Sequence, residues 1–119
     1  MAANPAVPTP ELSFQVEKTP NETTIRCTGR IVSSTTDSLK TAVRPAFAAS
    51  KTVVLDLTQV NYLDSSGLGA IVGLYVSAKR AGSKLKLINL SPRVKEIFSM
   101  TRLAPLFEGH EDLLGLTPD

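Results

Sequence analysis

The chain is poor in the residues that most often carry chemistry. Among 119 residues there is one cysteine, Cys27, and one histidine, His110. A single cysteine excludes an internal disulfide framework, and a single histidine removes most zinc and histidine-based catalytic designs. No cofactor or metal site is expected. Aromatics are sparse as well, with four Phe, two Tyr and no Trp, so stacking platforms for single-stranded nucleic acid are hard to build. Long hydrophobic runs are missing. The longest, Leu68 to Val76, is nine residues, far short of the ~20 that span a bilayer. The first ten residues, MAANPAVPTP, hold three of the eight prolines and no charged side chain. They lack the basic and continuous apolar regions of a secretory signal and read as a flexible Pro-rich leader. A soluble, cytoplasmic protein without membrane insertion is expected.

What is present suits one compact domain. The composition is 42% hydrophobic and 20% charged, with a formal net charge of +2, enough apolar material for a core at a length typical of a single domain. Leu12, Phe14 and Val16 alternate with polar residues, and Thr23 to Ile31 is β-branched and alternating. With the turn-forming Thr19-Pro20-Asn21-Glu22 between them, these runs predict a hairpin. Cys27 falls in its second strand, as a small buried apolar side chain rather than a reactive thiol. Capping residues from Ser33 to Asp37 precede Leu39, Val43 and Phe47 at helical spacing, with a kink or an early end expected at Pro45. Thr52 to Thr58 is apolar on both faces except at Asp56, the pattern of a strand covered by helices.

A helix follows from about Ser66 to Ala81, with Lys79 and Arg80 at its negative end and Gly82 beyond it. Lys84 to Leu90 alternates as a strand, and Ser91-Pro92 opens a helix bearing Val94, Ile97 and Phe98. A short strand at Leu106-Phe107 and a short helix over Glu111 to Leu116 complete the pattern. The predicted fold is α/β: a mixed sheet of four to five strands, with about four helices packed mainly on one face. Its domain spans residues 11–117.

The informative stretch runs from Asp56 to Gly73. It passes from a buried strand through a short loop into a helix whose first turn holds Asp64, Ser65, Ser66, Gly67, Leu68 and Gly69. A helix N-terminus exposes unpaired N–H groups and partial positive charge. Asp64, Ser65 or Ser66 can each serve as the cap. Gly67 and Gly69 weaken a helix start by up to ~1 kcal/mol each relative to Ala, so some local requirement offsets them. Either another backbone approaches closely, or Gly69 and Gly73 pack tightly on the sheet. A phosphoryl group on a serine here would carry about −1.5 to −2 charge, held by the helix end. That would convert a neutral surface into an anionic one.

The segment VVLDLTQVNYLDSSGLGAIVGLYVSAKRAGSKLKLINLSPRVKEIFSMTRLAPLF resembles the STAS domain of anti-sigma factor antagonists. With the leading hairpin the likeness extends from about Glu11 to Leu116, and DSSGLG in this setting is its specific part. The resemblance implies a phosphorylation switch that is not itself an enzyme. Ser65, directly after the motif's aspartate, would be phosphorylated by an anti-sigma factor acting as a serine kinase, with Ser66 the less favoured acceptor. The unphosphorylated form would bind that kinase and free a sigma factor, and a serine phosphatase would restore the serine. Asp56, Asp64 and Gly67 would support the switch loop; Ser66, Leu68 and Arg30 would contact the partner. Where such antagonists often carry Gly-Glu-Leu/Ile-Asp, this chain has Gly29-Arg30-Ile31-Val32, which implies a partner with a different charge pattern.

Other constellations are weaker. Gly67-x-Gly69 has Val72 where a dinucleotide fingerprint requires glycine, and no phosphate-cradling GxxxxGK[ST] exists. A hydrolase or transferase built on Ser65 would need His110 beside it. Lys79, Arg80, Lys84 and Lys86 form a basic patch that reads as a solvated helix end and strand edge, not a nucleic-acid surface, though it would steer an acidic protein partner. A non-switching STAS module, in a signalling scaffold or on a lipid or solute transporter, is the alternative within the same fold.

Overall fold

In the computed structural model, residues 10–101 are described. The elements follow in the order β1 (Leu12–Lys18), β2 (Glu22–Ile31), α1 (Thr36–Ala49), β3 (Thr52–Leu63), α2 (Ser65–Arg80), β4 (Lys84–Ile88) and α3 (Pro92–Thr101). The four strands form one mixed sheet in the order β1-β2-β3-β4. β1 and β2 make the expected antiparallel hairpin, whereas β2–β3 and β3–β4 are parallel, each joined through a crossover helix. The expected α/β class is found, with four strands and three helices among the described residues. The additional strand at Leu106-Phe107, the helix over Glu111 to Leu116, His110 and the leader up to Thr9 lie outside them.

The sheet is organised by the alternation of its strands. In register across β2, β3 and β4, Thr23 lies beside Val53 and Leu85, and Ile25 beside Leu55 and Leu87. All six are buried. The apolar stripe of α1 (Leu39, Val43, Ala46 and Phe47) and that of α2 (Leu68, Ile71, Leu74 and Ala78) belong to the same core. Each fully buried aliphatic side chain contributes about 1.5–3 kcal/mol. Cys27 is among them, completely buried, and burial, with the Asp56 charge, pushes its thiol up to about 12.

Two expectations about element ends are corrected. α1 does not stop near Pro45 but runs on to Ala49. Proline removes the donor that would have bonded the Thr41 carbonyl. Thr41 and Pro45 are both exposed, so water can satisfy that carbonyl. β3 continues past Thr58 to Leu63, replacing the expected loop. Its pairing with β2 shifts register twice, between Arg26 and Thr28 and between Gly29 and Arg30. These irregularities break the period-2 pattern and place the buried Leu57, Val60 and Leu63 three residues apart.

Candidate functional site

β3 and α2 are separated by a single residue, Asp64. Three contacts fix the joint. The Asp64 amide donates to the Ile31 carbonyl at the end of β2 (3.2 Å). The Asp64 Oδ1 accepts the Gly67 amide (2.8 Å), an N-cap of the ordinary kind. Its carbonyl accepts the Leu68 amide (2.9 Å). Of the three candidate caps, therefore, the aspartate takes the role and both serine side chains are left exposed. Gly67 is buried because α2 starts directly on β2: a Cβ there would lie 2.1 Å from the Ile31 carbonyl oxygen. The close approach anticipated from the glycines is at Gly67 alone. Gly69 and Gly73 do not pack tightly on the sheet; a Cβ at either would meet nothing within 4 Å.

The other end of α2 closes as its sequence requires. Gly82 adopts φ +75°, its amide donates to Lys79 (3.1 Å) and the Ser83 amide to Ala78 (2.8 Å). That left-handed residue ends the helix and returns the chain to β4.

Space left by the two open glycines belongs to a shallow cleft of about 290 Å³ between α1 and α2. Its walls include Ser33, Thr36, Lys40 and Arg44 of the α1 side and Ser66 of α2. Sequence reasoning missed Lys40 and Arg44. Their four-residue spacing puts them on one helix face, but only the packing of α1 on α2 brings that face to Ser66.

The remaining anticipated residues are distributed as follows. Leu68, expected to meet a partner, is instead buried in the core at 8% exposure; its α-helical phase matches Ile71 and Leu74, which point into the sheet. Asp56 is buried at the β3 irregularity. It accepts from the Thr58 amide and hydroxyl and from the Asn89 side chain, with Arg26 Nε 3.6 Å away. Burial pushes its carboxyl up, but the Thr58 and Asn89 hydrogen bonds and the Arg26 charge outweigh it and hold the group below the usual carboxylate range. These contacts brace β3 against β2 and the turn after β4, where Asn89 is left-handed. None of them reaches Ser65. Arg30, at the exposed end of β2, pairs in register with Tyr62 of β3, and its guanidinium carbon lies 5.5 Å from the centre of the Tyr62 ring. Among the described residues no group of three potential metal ligands occurs, and no helix is long and apolar enough to cross a membrane.

The chain is similar to known proteins over most of its length. A family model for the STAS domain matches residues 13–114. The anti-sigma-B factor antagonist of Listeria monocytogenes is 37% identical over 82 residues, covering 67% of this chain and 71% of that one. Among solved structures, unphosphorylated SpoIIAA, an anti-sigma factor antagonist, superposes with a TM-score of 0.67 at 23% identity, covering 89% of this chain and all of that one. The phosphorylated form of SpoIIAA from Bacillus gives 0.62 at 24% identity, covering 79% and 87%.

Proposed function

We propose, since the chain belongs to the STAS domain family, that it acts as an anti-sigma factor antagonist switched by phosphorylation of Ser65. The observation that carries this reading is the exposed serine at the first position of α2, immediately after a capping aspartate whose own bonds are satisfied. It sits in a chain 37% identical to an antagonist. SpoIIAA, alike in fold, has been solved in a phosphorylated form.

The geometry suits a site acted upon by another protein. Ser65 has no base beside it among the described contacts and needs none, because a kinase supplies nucleotide, metal and base. The hydroxyl is free of the capping role, so a phosphoryl group costs no cap. The amides of Ser65 and Ser66 belong to the unpaired first turn of α2. Together with the partial positive charge of the helix end, they stabilise the added −1.5 to −2 charge. Unmodified, the surface binds an anti-sigma factor that is also the serine kinase, and so frees a sigma factor; a serine phosphatase resets it. The chain is a binding protein in this scheme, not a catalyst, and works in the cytoplasm.

The test compares Ser65→Ala and Ser65→Asp for affinity toward the organism's purified anti-sigma factor, by titration calorimetry. Ser65→Ala should bind as the unmodified protein does, and Ser65→Asp should bind at least about tenfold more weakly. Equal affinities for the two variants would refute the switch. Both should unfold within about 0.5 kcal/mol of wild type, because the replaced side chain is exposed.

A further inference from the structure

Tyr62 is one of the few large apolar side chains left in contact with solvent, at 37% exposure. It lies three residues before Ser65, at the end of β3 before the Asp64 joint. Two guanidinium groups share its ring: Arg30 at 5.5 Å and Arg93, from the start of α3, at 5.7 Å. Both arginines are exposed. Among the described residues Arg93 makes no ion pair. Arg30 has only a marginal one, 4.0 Å to Glu11, and that carboxylate is already engaged by the Ser34 hydroxyl at 2.7 Å. Two cations, one from β2 and one from α3, thus lie against the Tyr62 ring without a full complement of negative charge among the described residues.

We propose that Arg30, Tyr62 and Arg93 form a recognition site for acidic side chains of the protein partner, adjoining the switch serine. The inference rests on the partner-binding function just proposed and adds the chemistry that the partner must present. Three physical points lead to it. Guanidinium groups take carboxylates through paired N–H donors. A ring beneath them restricts their rotamers before binding, which lowers the ordering cost of docking. Tyrosine and arginine are the residue types that dominate binding energy at protein interfaces.

The site is also continuous with the Ser65 joint. Arg30 precedes Ile31, whose carbonyl receives the Asp64 amide and abuts Gly67. A dianion added at Ser65 then stands at the joint that the Arg30–Ile31 end of β2 holds, three residues along the chain from Tyr62. It draws on the same positive charge and repels the partner's carboxylates, which couples modification to release. Lys40 and Arg44, in the cleft with Ser66, extend the positive surround on the α1 side.

The experiment measures binding of the purified anti-sigma factor to wild type, Arg30→Gln/Arg93→Gln and Tyr62→Leu at two salt concentrations. Lys18→Gln, exposed at the far end of the sheet, serves as the control. The double variant should lose roughly 10–100-fold in affinity, mostly in association rate, with a flatter salt dependence. Tyr62→Leu should lose less, and Lys18→Gln nothing. Urea midpoints close to wild type would exclude misfolding as the cause. Wild-type binding with an unchanged double variant overturns this proposal alone. A wild type that binds no anti-sigma factor overturns the functional reading and this proposal together.

Discussion

Three glycines of one helix should respond to alanine with opposite signs. At Gly67 the new Cβ would lie 2.1 Å from the Ile31 carbonyl oxygen and 2.8 Å from its carbonyl carbon. Relief requires the first turn of α2 to move by about 1 Å or more, since buried backbone on the facing strand cannot rotate away. Overpacking of this kind costs about 1–3 kcal/mol. The shift also strains the Asp64–Ile31 bond and the Asp64–Gly67 cap, each worth about 1 kcal/mol. Gly67→Ala should therefore cost about 3–5 kcal/mol, a large share of the ~5–15 kcal/mol available to a domain. That corresponds to roughly 12–20 °C in melting temperature. Gly69 and Gly73 have open space where a Cβ would go. Alanine at either should stabilise by about 0.5–1 kcal/mol through helix propensity alone. Urea titrations followed by circular dichroism measure all three. A Gly67→Ala variant within 1 kcal/mol of wild type, or a Gly69→Ala variant as unstable as it, would refute the packing argument.

The capping aspartate gives a smaller effect: Asp64→Ala should lose about 1 kcal/mol in urea, whereas Asp64→Ser should retain most of the stability. Asp56 provides a pH dependence. Its folded-state pKa lies below the unfolded value, so its stabilisation is full above about pH 4 and is lost as pH falls through the folded pKa. The urea midpoints of wild type and Asp56→Asn should accordingly differ at pH 7 and converge toward pH 3; a constant difference would contradict the assignment. Cys27, buried and with its thiol raised to about 12, should resist a thiol reagent at pH 8 in the native protein. It should react fully in urea, and native labelling as fast as unfolded labelling would show the strand to be open.

Much of this was legible because most elements obey one period at a time. The hairpin, α2 and the Ser91-Pro92 start of α3 follow alternation, helical spacing and capping chemistry directly, and the Ser91 hydroxyl does accept the Val94 amide (3.2 Å). The end of β3 was not legible, because two register shifts turn its buried positions into a spacing of three. The choice among Asp64, Ser65 and Ser66 was open because all three residue types cap helices. It is decided by where Ile31 meets the chain, which is a tertiary fact. The same holds for the glycines: sequence says that some glycine must allow a close approach, and only the position of β2 selects Gly67 over Gly69 and Gly73. Tyr62 and Arg93 escaped notice for a related reason. They are thirty-one residues apart and separated by α2 and β4, with no local pattern to join them.

The short joint also bears on how a phosphoryl group would act. A loop between β3 and α2 would accommodate modification of Ser65 by moving. Here Asp64 alone intervenes, and it is tied to Ile31 on one side and to Gly67 on the other. The backbone at Ser65 is as fixed as the ends of the two interior strands that hold it. On the proposed reading, phosphorylation then works through charge at a constant position and not through refolding. A partner surface matched to that position, with its own carboxylates aimed at Arg30 and Arg93, meets a change of about two charge units with no backbone movement to absorb it. Repulsion inside an interface that excludes water is weakly screened, so a rigid joint gives the largest change in affinity for a single modification.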